Sequence, residues 1–171
     1  MKKIWIVLLV FSHHLFSQQQ QDLNKKNVFE TLWGESPESS VSFLPVGTHT
    51  EIRDGFVRFK DFFDIYYTSY NYKSFELAVF KNSFRDWSIG LMYTREIPVF
   101  KKWSIKYGGG IMYGYQGQLV TVDGIPFKKI FFSGPFNPIL GGGINYKISE
   151  KWSVSILIAP LINAYGIKYH L

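Results

Sequence analysis

Three polar residues have side chains that could act together on an ester: His49, Asn82 and Ser83. A histidine can take up or release a proton near neutral pH, because its unperturbed pKa lies there. A serine hydroxyl can attack a carbonyl or donate a hydrogen bond to an oxyanion. An asparagine can orient a histidine but cannot supply negative charge. Structural roles compete with this interpretation, since Asn-Ser is a common turn pair and a single histidine at a strand end is usually just solvated.

The first 17 residues have the pattern of a cleaved export signal. Lys2 and Lys3 precede a short apolar run, Ile4 to Phe11, and Ser17 is a small residue suited to signal peptidase. The apolar run is too short to cross a bilayer as a helix. We therefore expect the chain to be exported and exclude this segment from the fold.

The composition favours a barrel in the outer membrane. The sequence has 15 glycines, no cysteine and 19% aromatic residues. Without cysteine there is neither a disulfide framework nor a Cys-based metal site, and no motif predicts a metal, a cofactor or nucleic-acid binding. An exported, aromatic-rich and glycine-rich chain without a long apolar helix is typical of an outer-membrane β-barrel. A soluble periplasmic β-sandwich is the alternative.

Apolar and polar residues alternate with a period of two from Val41 onward, which is the pattern of β-strands. Long outer loops are predicted at Glu51–Phe62 and Tyr115–Phe136, and a short outer turn at Asn82–Arg85. An even number of strands closes an antiparallel barrel with both ends on the periplasmic side. The eight predicted strands lie at about residues 40–50, 63–70, 74–82, 86–96, 102–114, 137–147, 151–160 and 164–171.

The predicted organisation has three parts. Residues 1–17 form a signal peptide, and residues 18–39 form a lead with a short amphipathic periplasmic helix at about 22–33. Residues 40–171 form an all-β, eight-stranded antiparallel transmembrane β-barrel. We expect it to lie in the outer membrane of a Gram-negative bacterium.

The two predicted faces of the strands differ in character. One face carries aliphatic residues with aromatic residues near the strand ends, as a lipid-facing surface with interfacial girdles requires. The other face is charged near the periplasm and rich in glycine toward the outside. Those glycines predict a slot for one hydrocarbon chain, with Met92 and Met112 as its floor; the alternative is that they relieve crowding in a narrow barrel. The slot residues are Gly90, Met92, Gly108, Gly110, Met112, Gly141 and Gly143.

Four stretches of sequence resemble the lipid A palmitoyltransferase family. "KNVFETLW" followed by "PESSVSFLPVGTHT" is similar to the periplasmic helix and first strand of that family. "AVFKNSFRDW" resembles its Phe-Lys-Asp-Ser stretch, and "NPILGGGINYK" with "SVSILIAPL" resembles the paired prolines that flank a lateral gap. The resemblance extends from about Lys26 to Leu171.

The resemblance implies a site and an activity. It makes His49 the rim histidine, Ser83 the reactive serine, and Pro138 and Pro160 the prolines beside a lateral gap, while Asn82 replaces the family's aspartate as orienter. The second strand lacks the proline that helps to open the family's other gap. The implied reaction moves an acyl chain, usually palmitate, from a phospholipid donor to lipid A or lipopolysaccharide, with no cofactor and with the enzyme as a monomer. Because the aspartate is replaced, two alternatives stay open: a non-catalytic structural or lipid-binding barrel, and a lipid hydrolase at the same site.

Overall fold

The structure is a computed structural model that describes residues 28–53, 56–122, 127–160 and 162–171. The predicted signal peptide and residues 18–27 of the predicted lead lie outside the described residues. Helix α1 (Val28–Trp33) is the described part of the predicted amphipathic helix. It belongs to a separate unit from the one that begins at Gly34 and contains the strands. Among the described residues, no helix is both long enough and apolar enough to cross a membrane.

Eight antiparallel strands close into a barrel in sequence order, because β1 pairs with both β2 and β8. The predicted fold class is confirmed, and closure of the sheet removes the sandwich alternative. A short 3₁₀ helix (Gln118–Thr121) and helix α2 (Lys128–Phe131) lie in the connection between β5 and β6. The strands are β1 (Ser40–Arg53), β2 (Phe56–Tyr72), β3 (Phe75–Lys81), β4 (Trp87–Phe100), β5 (Trp103–Tyr113), β6 (Phe136–Lys147), β7 (Trp152–Ile158) and β8 (Ile162–His170).

The first hairpin is longer than predicted. The stretch Glu51–Phe62 was expected to be a loop, but β1 and β2 continue to pair as far as Arg53 opposite Phe56. That prediction is therefore wrong. The physical reason is that the two strands satisfy each other's backbone groups beyond the barrel rim. An Asp-Gly pair at positions 54–55, typical of a two-residue hairpin turn, was the signal in the sequence; these two residues lie outside the described ones.

The outer surface of the barrel is an apolar wall with aromatic rings at both ends. On β4 the exposed residues are Trp87, Ile89, Leu91 and Tyr93, which alternate with buried ones as predicted. Aromatic pairs occupy the end with the short turns: Trp103 with Tyr146, and Trp152 with Tyr169, at centroid distances of 4.8 and 4.9 Å. Tyr113 and Phe136 pair at the opposite end, 5.4 Å apart. This arrangement is the one that a barrel wall needs in a bilayer.

The interior of the barrel is divided into a polar half and an apolar half. Near the short turns, Lys106 Nζ lies 2.5 Å from Glu76 Oε2, and Tyr67 donates a hydrogen bond of 3.0 Å to Glu76 Oε1. A second polar group surrounds Glu96, which accepts hydrogen bonds from Ser104 and Asn145. Toward the long-loop end buried apolar residues predominate, although Thr48, Asn82 and Asn137 are also buried there. The apolar residues are Leu44, Ile65, Phe80, Met92, Met112, Tyr115 and Leu119. The predicted charged half of the lumen is therefore present, but large side chains occupy the other half, which was predicted to be lined mainly by glycine.

Candidate functional site

Asn82 lies immediately after β3 and is 1% exposed. Its Nδ2 donates to Ser88 Oγ at 3.1 Å and to the Gly114 carbonyl at 3.3 Å. Its Oδ1 accepts from the backbone N–H groups of Phe84 and Asp86, at 2.9 and 3.0 Å. The side chain thus closes the turn between β3 and β4 and ties it to the end of β5.

These four hydrogen bonds use the whole capacity of the asparagine, which has two N–H donors and two acceptor lone pairs. None of them involves His49, so Asn82 could orient that histidine only if one of the present hydrogen bonds broke. An aspartate here would keep the two backbone acceptor contacts but would face the Gly114 carbonyl with a second oxygen. The turn geometry therefore gives a structural reason for asparagine at this position.

Ser83 follows in the same turn and contacts Tyr115, a residue that sequence reasoning missed. Tyr115 is 4% exposed and packs edge-on against Phe84, with ring centroids 6.1 Å apart. Burial raises the pKa of Tyr115 to about 12, and a hydrogen bond with Ser83 opposes that rise. Tyr115 therefore keeps its proton at neutral pH. Its position directly after Gly114, at the start of the predicted loop, was the available signal.

His49 lies on β1, where it is paired with Lys60 of β2 and Ile162 of β8. Its ring stacks on Phe63 at 4.5 Å, with an angle of 22° between the planes. Strand β2 separates β1 from β3, and among the described residues no hydrogen bond joins His49 to Ser83. The structure thus places both residues toward the long-loop end, but does not join them.

The barrel wall has two places where neighbouring strands stop pairing before they end. The β6–β7 ladder ends where Gly142 meets Ile158, so β6 continues from Gly141 to Phe136 without a partner on β7. Strand β7 cannot follow because Ala159 turns back to hydrogen-bond with Ile162 of β8. Pro138 lies on the part of β6 that has no partner on β7, and Pro160 lies directly after Ala159. Proline has no N–H to contribute to a ladder, so both residues suit an interrupted edge.

The second interruption lies between β2 and β3. Their ladder ends at Thr68 opposite Val79, although β2 begins at Phe56. Two residues of β2, Asp61 and Tyr66, have positive φ angles of 49° and 46° and coincide with the register shifts against β1. Bulges of this kind bend a strand and can direct it away from a neighbour. This opening therefore needs no proline in β2.

The glycines of the lumen do not line an open slot of the predicted size. A Cβ on Gly108 would lie 2.4 Å from the Tyr93 carbonyl oxygen, and one on Gly110 would lie 2.0 Å from that of Leu91. These two glycines let β4 and β5 approach closely, which is a structural role; their assignment to an acyl-chain slot stays a prediction. A Cβ on Gly143 would similarly meet the Ile156 carbonyl at 2.8 Å, whereas Gly90 has only ordinary contacts at 3.8 and 3.9 Å.

A small cavity of about 60 Å³ remains in the barrel interior. Ligand pockets commonly measure roughly 300–1,000 Å³, so this cavity is too small for a long acyl chain without movement of its walls. It lies between the polar and apolar halves and opens toward the interrupted edge of β6. Its lining includes Leu44, Glu76, Met92, Lys106, Gly108, Ile139, Gly141, Gly143, Leu157 and Ala159. Met92 therefore lies beside the polar layer, as a floor residue would, and Met112 is buried nearby in the apolar half.

The described residues contain no group of three or more histidine, aspartate or glutamate side chains that could hold a metal ion.

Comparison with known proteins supports the fold. No family model matches the sequence, and no curated protein matches it. A solved structure described as "De novo design of transmembrane beta-barrels" is similar, with a TM-score of 0.51 and 14% sequence identity. The match covers 81% of this chain and 99% of the designed chain. The protein is thus an eight-stranded barrel similar to a transmembrane barrel, and at this identity the likeness shows the fold alone.

Proposed function

We propose that this protein is an acyltransferase of the outer membrane of a Gram-negative bacterium, which moves an acyl chain from a phospholipid to lipid A. The observation that carries the proposal is the interrupted edge of β6. There β6 has no partner on β7 from Phe136 to Gly141, while its other side is paired with β5, and the interior behind it is lined by Ile139, Gly141 and Leu157. A lipid chain entering sideways from the bilayer would exchange one apolar surrounding for another. A polar layer around Glu76 and Lys106 would stop it further down.

The proposed reaction is a direct transfer of an acyl group from the ester of a phospholipid to a hydroxyl of an acceptor lipid. His49 takes the proton from a hydroxyl of the acceptor lipid, and the freed oxygen attacks the ester carbonyl of the phospholipid. Ser83 donates a hydrogen bond to the oxyanion that forms. As the intermediate collapses, the ester C–O bond breaks, and the departing lysophospholipid oxygen takes the proton from His49. The products are an acylated lipid A and a lysophospholipid.

Two movements are required before this chemistry can occur. The apolar side chains around the small cavity must separate to admit an acyl chain, and His49 must leave Phe63 to approach Ser83. A gap at an interrupted ladder is a suitable place for such movement, since its backbone groups are not held by a neighbouring strand. Asn82 then acts by holding the turn that carries Ser83, rather than by contacting the histidine.

Mass spectrometry of lipid A tests the proposal directly. Cells that express the protein should contain lipid A with one additional acyl chain, in the outer-membrane fraction where the protein itself is found. His49→Ala and Ser83→Ala should each abolish the addition while leaving the heat-modifiable gel mobility of the barrel unchanged. Ser133→Ala, an exposed serine in the β5–β6 connection, is the control and should act like wild type. Addition of the chain by all three variants would contradict the assigned site.

A non-catalytic lipid-binding barrel is the second candidate, and the hydrogen bonds of Asn82 favour it. The side chain that would orient the histidine is fully occupied within its own turn. In that case lipid A would be unchanged by the protein, while purified barrel would still carry bound phospholipid detectable by native mass spectrometry. Release of free fatty acid, with lipid A unchanged, would instead indicate a hydrolase that uses water as the acceptor.

A further inference from the structure

The connection between β5 and β6 has an inward part and an outward part. Its inward side chains close the long-loop end of the barrel: Tyr115 and Leu119 are 4% and 6% exposed, and Phe132 packs against the same apolar cluster. Its outward part is helix α2 with the residue before it. There Phe127, Ile130 and Phe131 are exposed. Large apolar side chains grouped in this way on a surface usually mark an interaction site.

Two lysines accompany these apolar side chains. Lys128 Nζ donates a hydrogen bond of 3.1 Å to the Val122 carbonyl, which holds the helix against the preceding part of the connection. Lys129 is exposed next to it. No acidic residue occurs between Phe127 and Phe136. The outward part is therefore both apolar and cationic, the combination found on segments that lie in the headgroup region of a membrane.

The position of α2 in the chain places it near the girdle of aromatic side chains at this end of the barrel wall. Helix α2 ends at Phe131, and β6 begins at Phe136. Phe136 is 64% exposed and pairs with Tyr113 across the ladder. Aromatic side chains at strand ends lie at the level of the lipid headgroups. The outward part of the connection is thus continuous with the membrane-facing surface.

We propose that Phe127–Phe131 is an interfacial anchor, which inserts its apolar side chains into the leaflet at the long-loop end and places its lysines among anionic phosphate headgroups. A lipid surface fits better than a protein partner, because the anchor continues the girdle of aromatic side chains on the barrel wall and its charged residues are both lysines. The anchor would hold the β5–β6 connection, and with it Tyr115 beside Ser83, at the surface of the bilayer. This inference does not depend on the chemistry proposed for Ser83.

A spin label can measure the depth of this segment. The chain has no cysteine, so Ser133→Cys supplies a single label without removing any anchor side chain. The labelled barrel is reconstituted into vesicles of phosphatidylcholine alone, or of phosphatidylcholine mixed with anionic phosphatidylglycerol. The accessibility of the spin label to oxygen, which concentrates in the bilayer, is then compared with its accessibility to a water-soluble nickel complex. A high ratio of the two shows that the label is immersed. A label at Glu150, in the turn before β7, serves as a reference for an aqueous position.

The expected result is that the Ser133 label is immersed and that phosphatidylglycerol deepens it. Lys128→Gln with Lys129→Gln should remove the effect of phosphatidylglycerol. Each lysine lost should weaken binding of the segment to the anionic surface by about fivefold. Lys101→Gln with Lys102→Gln removes the same charge from the turn between β4 and β5, and should leave the Ser133 label unchanged.

The apolar part of the anchor is tested separately. Ile130→Ser with Phe131→Ser should expose the label to water in both kinds of vesicle, because burial of apolar area no longer holds the segment. A Ser133 label that is as accessible to nickel as the Glu150 label, in both lipids, would overturn the proposal. So would immersion that neither pair of substitutions reduces.

Discussion

Substitution of Gly110 by alanine distinguishes close strand packing from an open slot. A Cβ at this position would lie 2.0 Å from the Leu91 carbonyl oxygen and 2.7 Å from Met92 Cα. Both are backbone atoms, so no side-chain rotation can relieve the clash. Carbon atoms in favourable contact are about 3.5–4.0 Å apart. Strand β5 would have to move away from β4 by more than an ångström, which would break ladder hydrogen bonds.

The cost can be estimated from these two effects. Overpacking costs about 1–3 kcal/mol, and each ladder hydrogen bond lost costs about 1 kcal/mol. We expect Gly110→Ala to lower the free energy of unfolding by roughly 2–4 kcal/mol. Gly90→Ala is the matched control, because the new Cβ would meet only ordinary contacts at 3.8 and 3.9 Å. Loss of glycine flexibility in the unfolded chain should make that variant more stable, by about 0.4–1 kcal/mol.

The measurement is unfolding of the purified barrel in micelles by guanidinium, followed by tryptophan fluorescence and by the gel mobility of unboiled samples. The unfolding midpoints give the differences in free energy of unfolding, provided that this free energy has the same slope against denaturant concentration in each variant. If Gly110→Ala is as stable as Gly90→Ala, both glycines border open space, and the close-approach interpretation is refuted in favour of the slot.

Three further predictions concern the rim and the lumen. Asn82→Asp should destabilise the barrel by about 1–3 kcal/mol, because it loses the N–H donors to Ser88 and Gly114. The same unfolding assay measures this, and equal stability would show that those hydrogen bonds contribute nothing. If Met92 is the floor beside the polar layer, Met92→Gly should lengthen the acyl chain found on lipid A, and an unchanged chain length would remove Met92 from that role. Folding favours the neutral form of Tyr115, since its pKa is raised from 10.0 to about 12. The free energy of unfolding should therefore be constant below about pH 10 and fall as the pH rises toward 12. Unfolding midpoints measured against pH should show this loss in the wild type and not in Tyr115→Phe.

Much of the barrel could be predicted because strand alternation is a local property of the sequence. The order of the strands and the lipid-facing set on β4 both follow from a period of two and from turn residues. The turn at Asn82–Arg85 was likewise predictable, since asparagine and serine favour such turns by local hydrogen bonds. The N-terminal part of the predicted organisation stays a prediction.

Other features could not be predicted because they depend on which strands become neighbours. The sequence shows Gly108 and Gly110 only as small residues on an inward face. The position of β4 shows that the absence of a side chain at each glycine lets the carbonyl groups of β4 approach β5 closely. The same is true of Asn82, whose partner Gly114 directly follows β5, a different strand from the one that Asn82 follows. His49 and Ser83 lie at the same end in both the prediction and the structure, and no local pattern could reveal the distance between them.

The sequence by itself determined that this chain forms a series of antiparallel strands with one apolar face, since each strand carries its own alternation and each turn its own residues. Only the tertiary structure decided where the ladders stop. Pro138 and Pro160 indicated a gap, but the structure set its extent: β7 turns back at Ala159 while β6 continues to Phe136. The openings in the wall, and the closely packed lumen behind them, arise from pairing and closure, because these set the distance between residues that are remote in the chain.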